Sequence, residues 1–117
     1  MGAGIYNGPS LYKEYEASKA VIFNSKINNN NASWYGGILN QDGLVFVTKC
    51  EISENSAKSG AGVSNFSNTY LFDNKISKNV SDSYGAGVYN TSYMEIDSIE
   101  VTENVGTGMV LDSASST

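Results

Sequence analysis

The segment from Gly60 to Asn79, GAGVSNFSNTYLFDNKISKN, contains both of the short motifs that recur along this chain. The first motif, Gly60–Asn65, is a Gly-x-Gly triplet followed by an aliphatic residue and, two positions later, by Asn. The second motif, Ile76–Asn79, is an aliphatic residue followed by Asn three positions later. Self-similarity at a fixed period is the signature of a stacked repeat, so the spacing of the copies indicates whether this chain forms one.

The two motifs alternate at an almost constant period. Copies of the first begin at Gly2, at Tyr35 (where Tyr replaces the first Gly), at Gly60 and at Gly85, and a degenerate copy begins at Gly106. The aliphatic residues that open the second are Ile27, Ile52, Ile76 and Val101, which are 25, 24 and 25 residues apart. A unit of this length cannot bury its own apolar face, so the units are expected to stack on one another.

Aligning the repeats on these aliphatic anchors separates interior from exterior positions. The predicted interior columns are Ile22, Val47, Leu71 and Ile96, then Ser25, Cys50, Asn74 and Ile99, and after the glycines Ile5, Ile38, Val63, Val88 and Met109. Two polar columns alternate in charge from repeat to repeat, namely Lys26, Glu51, Lys75 and Glu100, and Asn29, Glu54, Lys78 and Glu103. Opposite charges on neighbouring strands stabilise a sheet, so this alternation favours parallel strands stacked in register.

These columns predict an all-β chain, a parallel β-helix (solenoid) of four rungs and a partial fifth, with about 25 residues in each rung. We expect one β-helix domain at residues 1–112, with an insertion loop at 8–20 in the first rung and a polar tail at 113–117. The motif glycines and asparagines are expected to take left-handed backbone conformations at turns, and stacked Asn amides are expected to form hydrogen-bonded ladders.

The motifs resemble the parallel β-helix repeats of large bacterial and archaeal surface proteins. They are similar in particular to the repeats of chlamydial polymorphic outer membrane proteins, which are marked by Gly-Gly-Ala-Ile-like and Phe-x-x-Asn tetrapeptides. Gly36–Leu39 approaches the first tetrapeptide, and Ile27–Asn30, Ile52–Asn55 and Ile76–Asn79 resemble the second with Ile in place of Phe. The resemblance implies a right-handed helix, a cell-surface or secreted location, and a role in adhesion or scaffolding.

Composition excludes several kinds of partner. The net charge is −5, with seven Lys and no Arg, which is unsuited to binding a nucleic-acid backbone. The chain has no apolar run of about 18 residues, so we expect no membrane insertion. The sequence near Met1 does not read as a signal peptide, and the single Cys50 excludes an internal disulfide framework. No cofactor and no metal site are predicted.

Catalysis is not expected either. The chain has no His and no Arg, so it lacks the commonest general base and the usual clamp for a sugar carboxylate. Glycosidases need two carboxylates, and Glu95 and Asp97 lie on one side of a strand with Asp73 near Asp97, but nothing else in the sequence unites these residues into a site.

One surface and one loop are candidates for binding. Strand alternation places an apolar set of side chains outside the solenoid, which we term the outer aromatic face: Phe23, Phe46, Tyr70 and Phe72. The alternative is that the alternation slips at a bulge, so that Phe23 and Phe72 belong to the core. In the insertion loop, Leu11, Tyr12 and Tyr15 either bind a partner or cover the open end of the core.

We therefore expect a non-catalytic structural or adhesive module of a cell-surface or secreted protein. The alternative is a self-assembling subunit that stacks through its ends or its outer aromatic face, and a minor alternative is a fragment of a carbohydrate-active β-helix enzyme. The expected partner is a protein, either a second copy or a neighbouring domain, or else a surface glycan. Four glycosylation sequons begin at Asn31, Asn65, Asn79 and Asn90, and the sequence does not rank them.

Overall fold

The structure is a computed structural model that describes residues 4–8, 18–83 and 85–106, together with the backbone of residues 109–111 and 115–116. All regular elements in this part of the chain are β-strands, and it contains no helix that could cross a membrane. The strands are β1 (Ile5–Asn7), β2 (Lys19–Phe23), β3 (Lys26–Asn28), β4 (Ile38–Asn40), β5 (Leu44–Thr48), β6 (Glu51–Ser53), β7 (Ser56–Ala57), β8 (Val63–Asn65), β9 (Asn68–Ser77), β10 (Val80–Ser81), β11 (Val88–Asn90), β12 (Tyr93–Thr102), β13 (Met109–Leu111) and β14 (Ser115–Ser116).

The strands form stacked parallel sheets, as predicted. One sheet, here called the glycine-motif sheet, has the order β1-β4-β8-β11-β13, and a second, here called the long sheet, has the order β14-β12-β9-β5-β2 with β3 and β6 at its side. A short third side is formed by β7 and β10. About three regular turns, which begin at Ile38, Val63 and Val88, lie within the described residues. This count is slightly below the predicted four rungs and a partial fifth.

The predicted register is confirmed at the anchors. Ile27 pairs with Ile52, Ile52 with Ile76, and Ile76 with Val101. The first three of these residues are buried, as are the predicted interior residues Ile22, Val47, Leu71 and Ile96. The charged column also stacks in register, from Lys26 through Glu51 and Lys75 to Glu100. Strand pairing continues past residue 112, because the backbone of β14 pairs with β12 within the segment predicted as a polar tail.

Left-handed backbone conformations mark two corners of each rung. The residues at these corners have φ between 50° and 58° and are Asn24, Lys49, Asp73 and Ser98 at the first corner, and Asn29, Glu54, Lys78 and Glu103 at the second. At these corners the expectation that Gly and Asn fill the left-handed positions holds for Asn24 and Asn29 only, and the other six positions carry Lys, Asp, Ser or Glu. The expectation is correct at the turn before the glycine-motif sheet, where Gly60, Gly85 and Gly106 have positive φ. The asparagines that end the second motif point inward instead, and Asn55 and Asn79 are 0% exposed.

A different constraint acts on the second glycine of the motif, which lies where two rungs approach closely. A Cβ atom on Gly37 would lie 2.4 Å from the carbonyl oxygen of Gly62 and 3.0 Å from Ile52 Cγ2. Gly62 is crowded in the same way by the carbonyl oxygen of Gly87, at 2.2 Å. These distances leave no room for any side chain, so this glycine is required by packing.

Two ladders of asparagine side chains run along the solenoid, as predicted. In the glycine-sheet ladder, each amide donates to the Oδ1 atom of the next rung at 3.0, 3.1 and 2.7 Å, through Asn7, Asn40, Asn65 and Asn90. In the corner ladder the corresponding distances are 2.9, 3.0 and 2.9 Å, through Asn30, Asn55, Asn79 and Asn104. Among the described residues, every buried side-chain nitrogen or oxygen has a hydrogen-bond partner. The buried polar groups of these residues are therefore satisfied within the stack itself.

Candidate interaction surface

The outward side of the long sheet carries the predicted outer aromatic face. Ile22 is buried, whereas its neighbours Val21 and Phe23 are 61% and 62% exposed. Phe46, Tyr70 and Phe72 are half-buried on the same side. Strand alternation is thus regular through β2, β5 and β9, and the alternative that places Phe23 and Phe72 in the core is wrong.

Register fixes the neighbours of these side chains. One outward column runs from Val21 through Phe46 and Tyr70 to Glu95. The adjacent column runs from Phe23 through Thr48 and Phe72 to Asp97. The surface is consequently apolar over three rungs and acidic on the fourth, as the sequence indicates.

The aromatic rings stack along the solenoid axis. The Phe46 and Tyr70 rings are nearly parallel, with centroids 4.8 Å apart and planes 11° from each other. Tyr93 adds an edge contact to Tyr70, with centroids 5.9 Å apart, and the Lys19 ammonium lies 5.9 Å from the Phe46 centroid. Because stacked rings turn their faces towards one another, Phe46 and Tyr70 present mainly their edges to a partner.

Charged groups border this surface at opposite ends. Lys19 is exposed in β2, while Glu95 and Asp97 lie in β12, the former half-buried and the latter exposed. The Tyr93 hydroxyl lies 3.3 Å from Glu95 Oε2, to which it donates a hydrogen bond. A polar border around an apolar centre is the usual anatomy of a protein contact surface.

The outward side of the glycine-motif sheet is closed at Leu39 and Ser64, which the sequence did not reveal, whereas Tyr6 in the same column is 48% exposed. Leu39 and Ser64 point away from the core, yet both are fully buried. An aromatic cluster lies on this side, with ring centroids 5.3 Å apart for Tyr35 and Phe66 and 5.9 Å apart for Phe66 and Tyr89. The signal available in the sequence is the aromatic residue beside each copy of the glycine motif. The repeat pattern does not define the paths of the loops, so it could not predict that these aromatic residues lie against the outward side of the sheet.

A groove follows the first corner across four rungs, at residues 24–26, 49–51, 73–75 and 98–100, and has a volume of about 750 Å³. Its carboxylates are Glu51, Asp73 and Glu100. Glu51 pairs in register with Lys26 and Lys75, and Glu100 pairs with Lys75. Lys75 Nζ lies 3.9 Å from Glu100 Oε2, and both side chains are more than half exposed. The groove therefore carries balanced charge and no pair of adjacent carboxylates within one rung.

The other predicted residues are placed apart from this surface. Leu11, Tyr12 and Tyr15 lie outside the described residues, while β2 already begins at Lys19, inside the range predicted for the insertion loop. Asp73 stands at the first corner, one residue beyond Phe72, which is the register partner of Asp97. The described residues contain no cluster of three or more His, Cys, Asp or Glu residues that could hold a metal ion.

Comparison with protein-family models identifies the architecture. The model described as a right-handed β-helix region matches residues 5–117, nearly the whole chain. The chain belongs to the right-handed β-helix family. This agrees with the parallel rungs and confirms the handedness that the resemblance implied. No significant match was found among curated proteins or among solved structures. Because β-helix proteins include both enzymes and non-enzymes, membership of the family establishes the fold alone.

Proposed function

We propose that this right-handed β-helix is a non-catalytic structural or adhesive module of a cell-surface or secreted protein, and that its outer aromatic face packs against a neighbouring protein domain. The observation that carries the proposal is the run of exposed Val21 and Phe23 beside half-buried Phe46, Tyr70 and Phe72 on one sheet. An exposed apolar patch with a polar border is typical of a contact site. The location and the adhesive role are supported by the likeness to chlamydial polymorphic outer membrane protein repeats.

Ring orientation favours a protein partner over a glycan. A sugar ring stacks on the open face of an aromatic side chain, whereas Phe46 and Tyr70 cover one face of each other. Their exposed edges, together with Val21 and Phe23, suit the irregular packing of apolar protein side chains.

The size of the patch favours a tethered domain over a second free copy. With about 4.8 Å between strands and about 3.3 Å per residue, three apolar rungs of five residues span roughly 14 by 16 Å. A stable interface between separate proteins buries about 800 Å² on each partner, well above this footprint. A domain held on the same polypeptide benefits from a high effective concentration, so a small patch is sufficient.

The non-catalytic part of the proposal is supported by the distribution of acids. Glu95 is engaged by the Tyr93 hydroxyl, Asp97 accepts a hydrogen bond from Ser98 Oγ at 3.4 Å, and Asp73 occupies a corner. In the corner groove, Glu51 and Glu100 have lysines as register partners. Carboxylate-based glycoside hydrolysis needs two carboxyl groups that flank one substrate bond, and the hydroxyl partners of Glu95 and Asp97 favour a surface role for these acids instead.

Self-assembly is a second candidate, favoured by the sheet edges. Within the described residues, β1 pairs only with β4, and β2 pairs only with β5, so each presents a free edge. A free strand edge is a template for another strand. In this case copies would add at the edge of β2, and light scattering would rise with concentration even when the outer aromatic face is made polar.

Photo-crosslinking within the full-length protein tests the first proposal. A benzoylphenylalanine at Phe72 is expected to form an internal crosslink to another domain of the same polypeptide. The same probe at Tyr6, which is 48% exposed on the other sheet, serves as the matched control and is expected to form none. Equal crosslinking from both positions, or no crosslink from Phe72, would overturn the proposal.

A further inference from the structure

We propose that Asn31 is the acceptor of an N-linked glycan, and that the other three sequons of the chain are silent. The four sequons, which begin at Asn31, Asn65, Asn79 and Asn90, are equivalent in sequence because each is Asn-x-Ser with no proline between. In the folded β-helix they differ in solvent exposure, because Asn65, Asn79 and Asn90 belong to the asparagine ladders and Asn31 does not.

Three of the four acceptor amides are locked in the interior. Asn65, Asn79 and Asn90 are each 0% exposed. Asn65 Nδ2 donates to Asn90 Oδ1 at 2.7 Å, and Asn79 Nδ2 donates to Asn104 Oδ1 at 2.9 Å and to the Ile52 carbonyl oxygen at 3.1 Å. A sugar on any of these nitrogens would have to fit between rungs that are in van der Waals contact, so it is incompatible with the fold.

Asn31 is in the opposite situation. It follows the corner-ladder residue Asn30, is exposed, and its side chain forms no hydrogen bond to any described residue. The backbone around it is ordered by a bridge to Ser56, whose carbonyl oxygen accepts a hydrogen bond from the Ala32 amide at 3.0 Å. Ser33, the hydroxyl residue of the sequon, is exposed as well. Both groups that a transferase must reach are thus presented on one ordered surface segment.

Room for the first sugars lies beside this segment. A depression of about 270 Å³ is lined by the sequon and by Lys58 and Asp82, whose charged groups can bond sugar hydroxyls. Trp34 follows the sequon directly and is 46% exposed, and the Lys58 ammonium lies 4.6 Å from its ring centroid. A glycan on Asn31 would therefore extend over a mixed surface that includes the exposed apolar side chains Val80 and Trp34, and it would disturb no core contact.

The reaction needs a lipid-pyrophosphate-linked oligosaccharide and its transferase, as supplied by a glycosylating secretory pathway. The Asn31 amide nitrogen forms a bond to the anomeric carbon of the sugar, and the bond from that carbon to the pyrophosphate oxygen breaks. The lipid pyrophosphate leaves with the electron pair, and the amide nitrogen gives one proton to the transferase. Chains modified at a ladder asparagine before folding could not close their rungs, so the folded fraction would carry the glycan on Asn31 whether transfer precedes or follows folding.

Expression behind a secretion signal in yeast tests this assignment, with the host's own glycoproteins as evidence that the pathway is active. We expect the compact fraction from size-exclusion chromatography to carry a single glycan, located on Asn31 by glycopeptide mass spectrometry. Asn31→Gln and Ser33→Ala are expected to remove the glycan with unchanged elution after deglycosylation. Asn24→Gln, at an exposed asparagine outside any sequon, is expected to retain it.

Two results would overturn the proposal. One is a folded wild-type chain without a glycan. The other is a glycan on Asn65, Asn79 or Asn90 in a fraction that elutes as the compact protein.

Discussion

Asn65 Nδ2 lies 2.7 Å from Asn90 Oδ1 in the next rung, and neither side chain is exposed to solvent. Asn65 Oδ1 in turn accepts hydrogen bonds from Asn40 Nδ2 at 3.1 Å and from Thr69 Oγ1 at 2.7 Å. One amide therefore connects three rungs and a neighbouring strand. The ladders fix the register of the stack in addition to satisfying buried polar groups.

Asn65→Ala is expected to lower the free energy of unfolding by about 2 kcal/mol or more, because it leaves buried donors and acceptors unpaired. Urea denaturation followed by circular dichroism measures the loss. Asn31→Ala, at an exposed position, is the matched control and is expected to change stability by less than about 0.5 kcal/mol. Equal midpoints for the two variants would show that the ladder does not stabilise the fold.

Gly37→Ala is expected to cost about 3 kcal/mol or more, or to prevent folding, because the new Cβ would lie 2.4 Å from the Gly62 carbonyl oxygen. Neither atom belongs to a flexible side chain, so relaxation requires the rungs to separate. Thermal unfolding of the soluble fraction is the measurement. Ala32→Gly, at a half-buried position away from this contact, controls for a general sensitivity to changes at small residues. A Gly37→Ala variant with wild-type stability would contradict the described rung spacing.

The left-handed corners offer a stabilising substitution. Glu54 has φ of 57°, a conformation that Asn adopts more readily than Glu. Glu54→Asn is expected to raise the free energy of unfolding by about 0.5–1 kcal/mol, measured on protein made in a host without N-glycosylation. Lys26→Asn, in a strand with ordinary backbone angles, is expected to give no gain. A decrease for Glu54→Asn would indicate that the corner is not left-handed.

The alternating charged column predicts a salt-dependent defect. Glu51 is paired in register with Lys26 on one side and Lys75 on the other. Glu51→Lys would place three positive charges in successive rungs and is expected to destabilise the chain by about 0.5–2 kcal/mol at low ionic strength. Screening at molar salt should recover most of this loss. Lys75→Ala, which removes one exposed partner of Glu100, should cost under about 1 kcal/mol.

Neighbouring residues on one strand distinguish the interior from the outer aromatic face. Ile22→Ala is expected to cost about 2–4 kcal/mol because it leaves a cavity in the core. Phe23→Ser, one residue later and 62% exposed, is expected to cost less than about 1 kcal/mol. Chemical denaturation of the two variants measures both values. The reverse order would mean that the alternation in β2 is inverted.

Most of the fold could be predicted from the sequence because a stacked repeat places equivalent residues in contact. Ile52 and Ile76 are identifiable as neighbours from their spacing alone, and the sign change from Glu51 to Lys75 indicates the register independently. The corner conformations could not be predicted in this way. Lys49 and Glu54 are poor left-handed residues, yet each has a positive φ directly before a buried residue, Cys50 or Asn55.

The candidate surface was predictable only in part. Alternation along β2, β5 and β9 places Phe23, Phe46, Tyr70 and Phe72 outside, and the structure agrees. The stacking of Phe46 on Tyr70 depends on side-chain rotamers, and the burial of Leu39 depends on loop paths. Neither is encoded in the period of the repeat. The exposure of each sequon likewise could not be predicted from the period of the repeat, because it depends on which asparagines form the ladders.

The measurement that tests the central claim most directly is size-exclusion chromatography with light scattering on the isolated chain, from micromolar to millimolar concentration. The small apolar footprint predicts a monomer of 12.5 kDa at every concentration, for the wild type and for a variant with Phe46→Ser and Phe72→Ser. A stable dimer or larger assembly that the double variant abolishes would contradict this account. It would show that a second copy, rather than a tethered neighbouring domain, occupies the outer aromatic face.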